Sequence, residues 1–450
     1  MSAPRPSGSD RNDPVRAIGS AESLFDVHES RLANGLMLLV LPDPTAPLIS
    51  FQIHYAVGSR NERPGITGIS HLFEHLMFKG TKRRGPESIA REIQARGGVL
   101  NAFTTTDNTS YFENLPANEL PLAIDIESDR LANLVLDEAN LTTEREVVRN
   151  ERRTSVVNAP LGLPGERLFA LLFDAHPYGW PVVGWDSDLR AITLQDCLDY
   201  FGTHYAPNTA TIVITGDVVP KDALEQVERA FGPLPAGPQR APVPTAEPIQ
   251  RGEKRAIYRK VAPAESILAG FHAPAWTDAD WSAVELIDTA LGTGRASRMY
   301  RRFLKPGRAS AAHVSSGIFF GTMDPSLVEF ELTALPGEPV APLEAELWEE
   351  LDAIARDGLT DEELARARKQ REASFFLQAR TCFHRGLQIG LRQVRQGSWQ
   401  SLRGQVDRWQ LVSREDTRRV ARGLFDPDNR SVVHVLPVPA EEWAARGPVE

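Results

Sequence analysis

Residues 231–250 read F-G-P-L-P-A-G-P-Q-R-A-P-V-P-T-A-E-P-I-Q, a proline-rich stretch in the middle of the chain. Each proline fixes φ and removes a backbone donor, so the six prolines of this stretch exclude a helix and favour an extended linker. The stretch divides the chain of 450 residues nearly in half. We therefore predict two domains, over residues 27–230 and 251–450, joined by a linker over residues 231–250.

The two halves on either side of this linker follow similar patterns. Each begins with an apolar strand that leads through a loop to a helix, and each later has long amphipathic or charged helices and a further apolar strand. The corresponding strand, helix and strand are residues 47–56, 69–75 and 209–215 in the first half, and 264–271, 283–289 and 431–436 in the second. This pattern predicts an α+β fold made of two homologous α/β-layer domains.

The composition excludes several classes of protein. With 42% hydrophobic and 24% charged residues the chain has the usage of a globular protein. Its net charge of -10 is unsuited to coating a phosphate backbone, so we expect no nucleic-acid partner. The strongest apolar run, residues 36–41, is far shorter than the roughly 20 residues of a membrane helix, so we expect no membrane span.

The N-terminus and the cysteines bear on the compartment. Residues 1–26 are rich in Pro, Ser, Gly and Asp and lack the apolar segment of a secretory signal, so we predict a disordered tail there. Two cysteines, Cys197 and Cys382, are too few for a disulfide framework or a cysteine-based zinc cluster. These features favour the cytoplasm, although a signal removed from the chain would leave the periplasm open.

The segment His71-Leu72-Phe73-Glu74-His75 is the motif that indicates chemistry. On a helix, His71 and His75 lie one turn apart on one face with Glu74 beside them. Neutral imidazoles are good zinc ligands, and a carboxylate next to a zinc-bound water can act as a general base. The order H-x-x-E-H is the signature of the inverzincin peptidases. The alternative is a chance arrangement, so a third ligand is needed.

The helix predicted from about Thr143 offers acidic candidates. Thr143 and Glu146 fit a capping box at its start. Glu144 and Glu151 are seven residues apart, which places them on one face, where one could bind metal while the other orients a histidine. The alternative is that these acids form a solvated face, paired with the neighbouring arginines of the same helix.

Taken together, these motifs resemble the M16 peptidases, the pitrilysin and mitochondrial processing peptidase family, and in particular its two-domain M16B zinc-binding subunits. The resemblance implies LuxS/MPP-like domains and one Zn²⁺ held by His71, His75 and Glu151. It also implies that Glu74 is the catalytic base and that Glu144 is an accessory carboxylate behind the ligands. Further family-like stretches are Phe78-Lys79-Gly80-Thr81, Gly97 to Thr104, His176-Pro177-Tyr178-Gly179, Tyr205-Ala206-Pro207-Asn208 and Gly216-Asp217.

The resemblance also implies how a substrate is held. An extended peptide would add to the edge of a sheet near the zinc and gain main-chain hydrogen bonds that ignore side-chain identity. Asn101, Ala102 and Phe103 match that edge strand. For Phe103, packing in the core is an equally good interpretation.

The second half departs from the zinc motif and from the family's substrate-holding pair. It has Glu285, Asp288 and Thr289 where the first half has the H-x-x-E-H residues. Lys305 and Ala312 stand where the family has an Arg and a Tyr that hold substrate and polarise the scissile carbonyl.

This departure favours an active site completed by a second M16B subunit that carries the Arg and Tyr, in a heterodimer whose chamber admits extended peptides. A homodimer that uses Arg308 and His313 instead is the alternative. The rival functions are a non-catalytic scaffold or assembly subunit and, for the glycine-rich stretch 292–298, phosphoryl transfer, although that stretch lacks the G-x-G-x-x-G spacing.

Overall fold

The computed structural model describes residues 24–318 and 321–445. The predicted tail over residues 1–26 lies outside the described residues except for its last three, of which Phe25 is fully buried against Phe375. The strands of the first half are β1 (His28–Arg31), β2 (Met37–Pro42), β3 (Leu48–Tyr55), β4 (Val99–Thr104), β5 (Thr109–Pro116) and β6 (Ala210–Gly216). Its helices are α1 (Ile69–Leu76), α2 (Ser88–Ala95), α3 (Leu120–Asn133), α4 (Glu138–Arg152), α5 (Gly162–Leu172), α6 (Asp186–Ala191), α7 (Leu194–His204) and α8 (Pro220–Phe231).

The second half repeats this order of elements. Its strands are β7 (Lys254–Lys260), β8 (Ser266–Ala273), β9 (Ala309–Ser316), β10 (Ser326–Ala334) and β11 (Arg430–Pro437). Its helices are α9 (Trp281–Gly292), α10 (Ala341–Asp357), α11 (Asp361–Gln378), α12 (Cys382–Gln396), α13 (Gln405–Leu411), α14 (Arg414–Leu424) and α15 (Ala440–Ala445). A π-helical turn, Tyr300–Leu304, stands where the first half has α2.

The two sheets have the same topology. The first runs β1-β2-β6-β3-β5-β4 and the second β7-β11-β8-β10-β9, so the second matches the first once β1 is set aside. In both sheets one neighbouring pair is parallel, β2 with β6 and β7 with β11, and the remaining pairs are antiparallel. The prediction of an α+β fold made twice is therefore confirmed.

The two halves exchange one helix each. The α5 helix of the first half packs on β8 and β11 of the second sheet, where Leu168 and Leu172 join a core with Leu268 and Val433. The corresponding helix of the second half, α12, lies on β3 and β6 of the first sheet. Domain boundaries at residues 230 and 251 stay a prediction, because each half contributes a helix to the other half's sheet.

A polar layer separates α12 from the first sheet. The backbone of α12 approaches closely at Gly390, where an added Cβ would lie 2.1 Å from Nε2 of His54. Nδ1 of His54 lies 2.7 Å from the Ser110 hydroxyl and its Nε2 lies 3.1 Å from the side-chain oxygen of Gln52. Gln52 in turn donates to the backbone oxygen of Phe383 on α12. This contact between the halves is therefore made by buried hydrogen bonds as well as by apolar packing.

The linker has no helix or strand between α8 and β7 and follows the surface of the first half. The Asn208 side chain bonds to the backbone of Gly237, and the Glu247 carboxylate accepts hydrogen bonds from the amides of residues 174–176. Within the described ranges, no helix combines the length and apolar content that crossing a bilayer requires.

Candidate metal centre

The α1 helix presents its polar face to α4 and β4. Ile69, Leu72, Phe73 and Leu76 are buried in the first-half core, which leaves the three motif side chains on the opposite face. The helix starts after Gly68, whose φ of 88° suits glycine. The buried Glu62 carboxylate accepts from the amides of Gly68 and Ser70, both at 2.8 Å, and so satisfies donors at the helix N-terminus.

The α4 helix begins five residues earlier than the sequence predicts. Asp137 is its N-cap and accepts from the amide of Asn140, whereas Thr143 lies inside the helix and donates to the oxygen of Ala139. The predicted capping box of Thr143 and Glu146 is therefore wrong, because Asp137 provides an N-cap ahead of it. The two acidic residues seven apart remain on one continuous helix.

Arg149 and Arg152 of α4 form ion pairs with acids other than Glu144 and Glu151, the two acids that face α1. Arg149 binds Asp186 and Glu146, and Arg152 binds Glu166. Glu144, in contrast, is buried and Glu151 is half-exposed, and both turn towards the histidines of α1. The alternative of a fully solvated acidic face therefore does not hold for this pair.

His71, His75 and Glu151 converge on one point. Their ligand atoms lie within 4.8 Å of one another. Oε2 of Glu151 lies 3.4 Å from Nε2 of His75 and 3.8 Å from Nε2 of His71. Tetrahedral zinc with bonds of about 2.0–2.1 Å separates its ligand atoms by roughly 3.3 Å. Two imidazoles and one carboxylate at these separations fit the three-ligand set of a catalytic zinc site.

Glu144 lies behind His75 and is held in turn by Lys79. Its Oε2 is 3.4 Å from Nδ1 of His75, and its Oε1 is 2.7 Å from Nζ of Lys79. Burial acts to raise the pKa of Glu144, but the His75 hydrogen bond and Lys79 outweigh it, so the pKa is lowered. An ionised Glu144 can therefore accept the Nδ1 proton of His75 and leave Nε2 free as a ligand.

The Glu74 side chain lies beside the point where His71, His75 and Glu151 converge. The Thr104 hydroxyl, at the end of β4, donates to Oε2 of Glu74 at 2.7 Å. Burial raises the pKa of Glu74, although the Thr104 hydrogen bond and the charge of His75 oppose the rise. A carboxyl with a raised pKa beside a potential metal site has the properties of a proton acceptor that can also return the proton.

The surroundings shift the pKa values of the two histidines in opposite directions. Burial, reinforced by the charge of His75, lowers the pKa of His71 to about 4, so this ring is neutral near pH 7. Burial also acts to lower the pKa of His75, but the Glu144 hydrogen bond and the charges of Glu151 and Glu74 outweigh it and raise the pKa. The acidic surroundings of His75 thus favour a positive charge at the position where a metal would bind.

Comparison with known proteins agrees with the two-domain fold. Residues 39–179 match the family described as insulinase (peptidase family M16), and residues 191–371 match the peptidase M16 inactive domain. An uncharacterized zinc protease of Streptomyces coelicolor is 31% identical over 425 residues, which cover 91% of each chain. The chain belongs to peptidase family M16.

Further relatives of this M16 chain carry similar names. Zinc protease PqqE of Helicobacter pylori is 29% identical over 361 residues, or 79% of this chain and 81% of that protein. The crystal structure of a protease from Helicobacter pylori superposes with a TM-score of 0.87 at 28% identity, over 91% of this chain and 99% of that one. The relatives are thus named as proteases, and zinc recurs in their names.

The predicted substrate-binding residues of the M16 chain lie on β4, at the edge of the first sheet and next to the motif helix. Asn101 is exposed, Ala102 is buried and Phe103 is partly buried. Thr104, the next residue, was not predicted, because its contact with Glu74 joins a strand to a helix 30 residues away. The sequence places Lys79 only within a family-like stretch and does not predict its contact with Glu144.

In the second half, Ala312 stands where the family has the Tyr, and Arg308 and His313 are the alternatives for the missing pair. Ala312 is buried within β9, and Arg308 binds Glu346 through both terminal nitrogens. His313 is exposed on β9. Arg298, in the glycine-rich stretch, binds Glu350 and Glu363, which is consistent with packing rather than phosphate binding.

Proposed function

We propose that this M16 chain is the zinc-binding subunit of a metalloendopeptidase that cleaves extended peptides. The observation that carries the proposal is the convergence of His71, His75 and Glu151, with Glu74 beside them and Glu144 behind. The spacing fits tetrahedral zinc, and the names of the relatives are consistent with that metal.

Each residue of the centre has a distinct task in this proposal. When bound, Zn²⁺ lowers the pKa of water and polarises the scissile carbonyl. His71, His75 and Glu151 hold the metal, and Glu144 fixes the ring of His75 through Nδ1. Glu74 takes a proton from the attacking water and passes it to the leaving amine, while Thr104 holds its carboxylate in place.

The substrate is an extended peptide added to the edge of β4. This edge strand carries Asn101, Ala102 and Phe103, and it ends at Thr104, which bonds to Glu74. Main-chain pairing along β4 would therefore bring a peptide bond towards Glu74 without demanding a particular side chain. This arrangement suits a broad preference for unfolded segments over folded proteins.

The partner in this proposal is a second M16B subunit. Lys305 and the buried Ala312 cannot supply the guanidinium and the phenol that the family uses to hold substrate. We therefore place those groups on a different chain, which would complete the site in a heterodimeric chamber.

The test measures metal content and peptidase activity separately. Zinc content is measured for the parent, Glu74→Gln and Glu151→Gln, with Glu146→Gln as a matched control on α4 that pairs with Arg149. We expect Glu151→Gln to lose zinc and the other two to keep it. Loss of zinc from Glu146→Gln as well would contradict the assignment of the third ligand.

Activity is measured on a quenched fluorescent peptide, with the chain alone and mixed with an M16B subunit that carries the Arg and Tyr. We expect cleavage in the mixture, reduced roughly 100-fold or more by Glu74→Gln. Full activity of the chain alone would overturn the heterodimer. A parent without metal or activity in either sample would favour the scaffold function.

A further inference from the structure

The second half keeps the framework of the metal centre without its histidines. Because the two halves have the same order of elements, α9 corresponds to α1 and α11 corresponds to α4. Both pairs of helices pack against each other. On α9, Glu285 and Thr289 stand at the positions of His71 and His75. Asp288 stands at the position of Glu74.

A hydroxyl residue ends the edge strand beside the acid of the motif in both halves. In the first half Thr104, the last residue of edge strand β4, donates to Glu74. In the second half Ser316 is the last residue of edge strand β9; burial raises the pKa of Asp288 to about 6, and Arg371 and Ser316 both act against that rise. Asp288 therefore corresponds to Glu74 in position, and in each half a hydroxyl residue ends the neighbouring edge strand.

A guanidinium lies on the motif face of α9. Nε of Arg371 is 2.7 Å from the Thr289 hydroxyl, and its Nη2 is 2.9 Å from Oδ2 of Asp288. Nη2 also lies 3.0 Å from the backbone oxygen of Glu285. One cation from α11 thus contacts the side chains of Asp288 and Thr289 and the backbone of Glu285, at the three positions that correspond to the H-x-x-E-H residues.

We propose that the second half is a charge-substituted copy of the metal centre, in which the guanidinium of Arg371 takes the place of the divalent cation. The proposal rests on the metal site proposed for the first half. Arg371 supplies the positive charge that Asp288 needs and ties α11 to α9, as the metal would tie α4 to α1. Its permanent charge also excludes a divalent cation from the second half.

The helix register identifies the change that would reverse this substitution. Counting from the N-caps Asp137 and Thr360, the fourth residue of each helix is a buried leucine. The eleventh residue is then Val148 in α4 and Arg371 in α11, and the fourteenth is Glu151 in α4 and Ser374 in α11. The second half therefore has Ser374 where the first half has the ligand Glu151. The guanidinium of Arg371 lies about one helical turn before that position.

The experiment restores the first-half residues and counts metal. The variant combines Glu285→His, Thr289→His, Ser374→Glu and Arg371→Val, and its control has the first three substitutions but keeps Arg371. We expect the full variant to bind one Zn²⁺ more than the parent and the control to bind no more than the parent. A folded full variant with no additional zinc, or an additional zinc in the control, would overturn the proposal.

A second measurement covers the case in which the grafted variant does not fold. The midpoint of thermal unfolding is compared for the parent, Arg371→Met, Asp288→Asn and the double variant. We expect Arg371→Met to lower the midpoint and Asp288→Asn to recover most of that loss, because an unpaired buried carboxylate is then removed. Purely additive losses would contradict the proposal.

Both measurements are differences from the parent. If the parent holds no metal, the proposed function fails, whereas a gain of one zinc in the full variant would still support the assignment of Arg371.

Discussion

Thr104 links the edge strand to the acid of the motif, and its hydroxyl favours the ionised form of Glu74. Removing this donor in Thr104→Val raises the pKa of Glu74, so a smaller fraction is ionised on the acidic side of the pH profile. We expect the acidic limb of kcat/KM to move to higher pH by about one unit and activity low on that limb to fall by up to roughly tenfold, since a hydrogen bond to a charged group contributes about 1.5 kcal/mol.

The matched variant Thr104→Ser keeps the hydroxyl and should keep the parent profile. A pH profile of Thr104→Val that coincides with that of the parent would show that Thr104 does not position Glu74.

Lys79 acts on the metal through Glu144. In Lys79→Met the buried Glu144 loses the cation at 2.7 Å and holds the His75 ring less firmly. We expect zinc affinity to fall by about 10–100-fold, the range for changes behind a ligand, in a competition titration with a chelator. Lys79→Arg keeps the charge and should stay within a few-fold of the parent, and equal losses in both variants would contradict this role.

The convergence of the motif with Glu144 and Glu151 was predictable because helical spacing alone puts these side chains on facing surfaces. The contacts of Lys79, Thr104 and Arg371 were not predictable in this way. Each joins two elements whose separation no spacing rule encodes, and each side chain has an ordinary alternative as a surface or strand residue.

Among the elements, strands and helices with strong apolar periodicity were predicted close to their observed bounds, as with β3, α1 and β6. The start of α4 was missed because Asp137 and Thr143 are both good N-caps and local propensity does not choose between them. The exchange of α5 and α12 had no signal in the sequence. An apolar face on α5 indicates burial but does not say against which sheet.

The contact of α12 with the first sheet depends on two glycines one turn apart. A Cβ at Gly390 would lie 2.1 Å from His54, and one at Gly386 would lie 2.6 Å from Gln52. We expect Gly390→Ala to lower the free energy of unfolding by about 1–3 kcal/mol in a denaturant titration, because the helix must move off the sheet.

The control for this prediction is Gly423→Ala. It lies in α14, is exposed and has nothing within 4 Å of the added carbon. This change should stabilise the protein by up to about 1 kcal/mol through helix propensity. Equal effects at the two glycines would show that close packing of α12 is not what Gly390 provides.

For the whole molecule, the polar layer between the halves makes stability depend on pH. Burial, reinforced by the charge of Arg395, lowers the pKa of His54 to about 3 from its ordinary 6.5. Between these values the unfolded chain takes up a proton that the folded chain does not, so the free energy of unfolding falls as pH drops below 6.5. The loss from His54 reaches about 2 kcal/mol at pH 5.

This prediction is checked by denaturant titrations at pH 5 and pH 7.5. The difference between the two pH values should shrink by about 2 kcal/mol in His54→Gln. His28→Gln, at an exposed position of β1, should leave it unchanged. If the difference in the free energy of unfolding between the two pH values is the same in His54→Gln as in the parent, a group other than His54 causes the loss of stability in acid.

The exchange of helices also sets the order of events during synthesis. As the chain leaves the ribosome, β3 and β6 can pair long before α12 has been translated. One face of the nascent sheet is therefore exposed until α12 is made. Ser50, Gln52 and His54 lie on that face. Their polarity lowers the tendency of the exposed surface to aggregate with other nascent chains. The apolar side of α5 is likewise exposed until β8 and β11 have been made. Neither half therefore reaches its final packing until the other has been made.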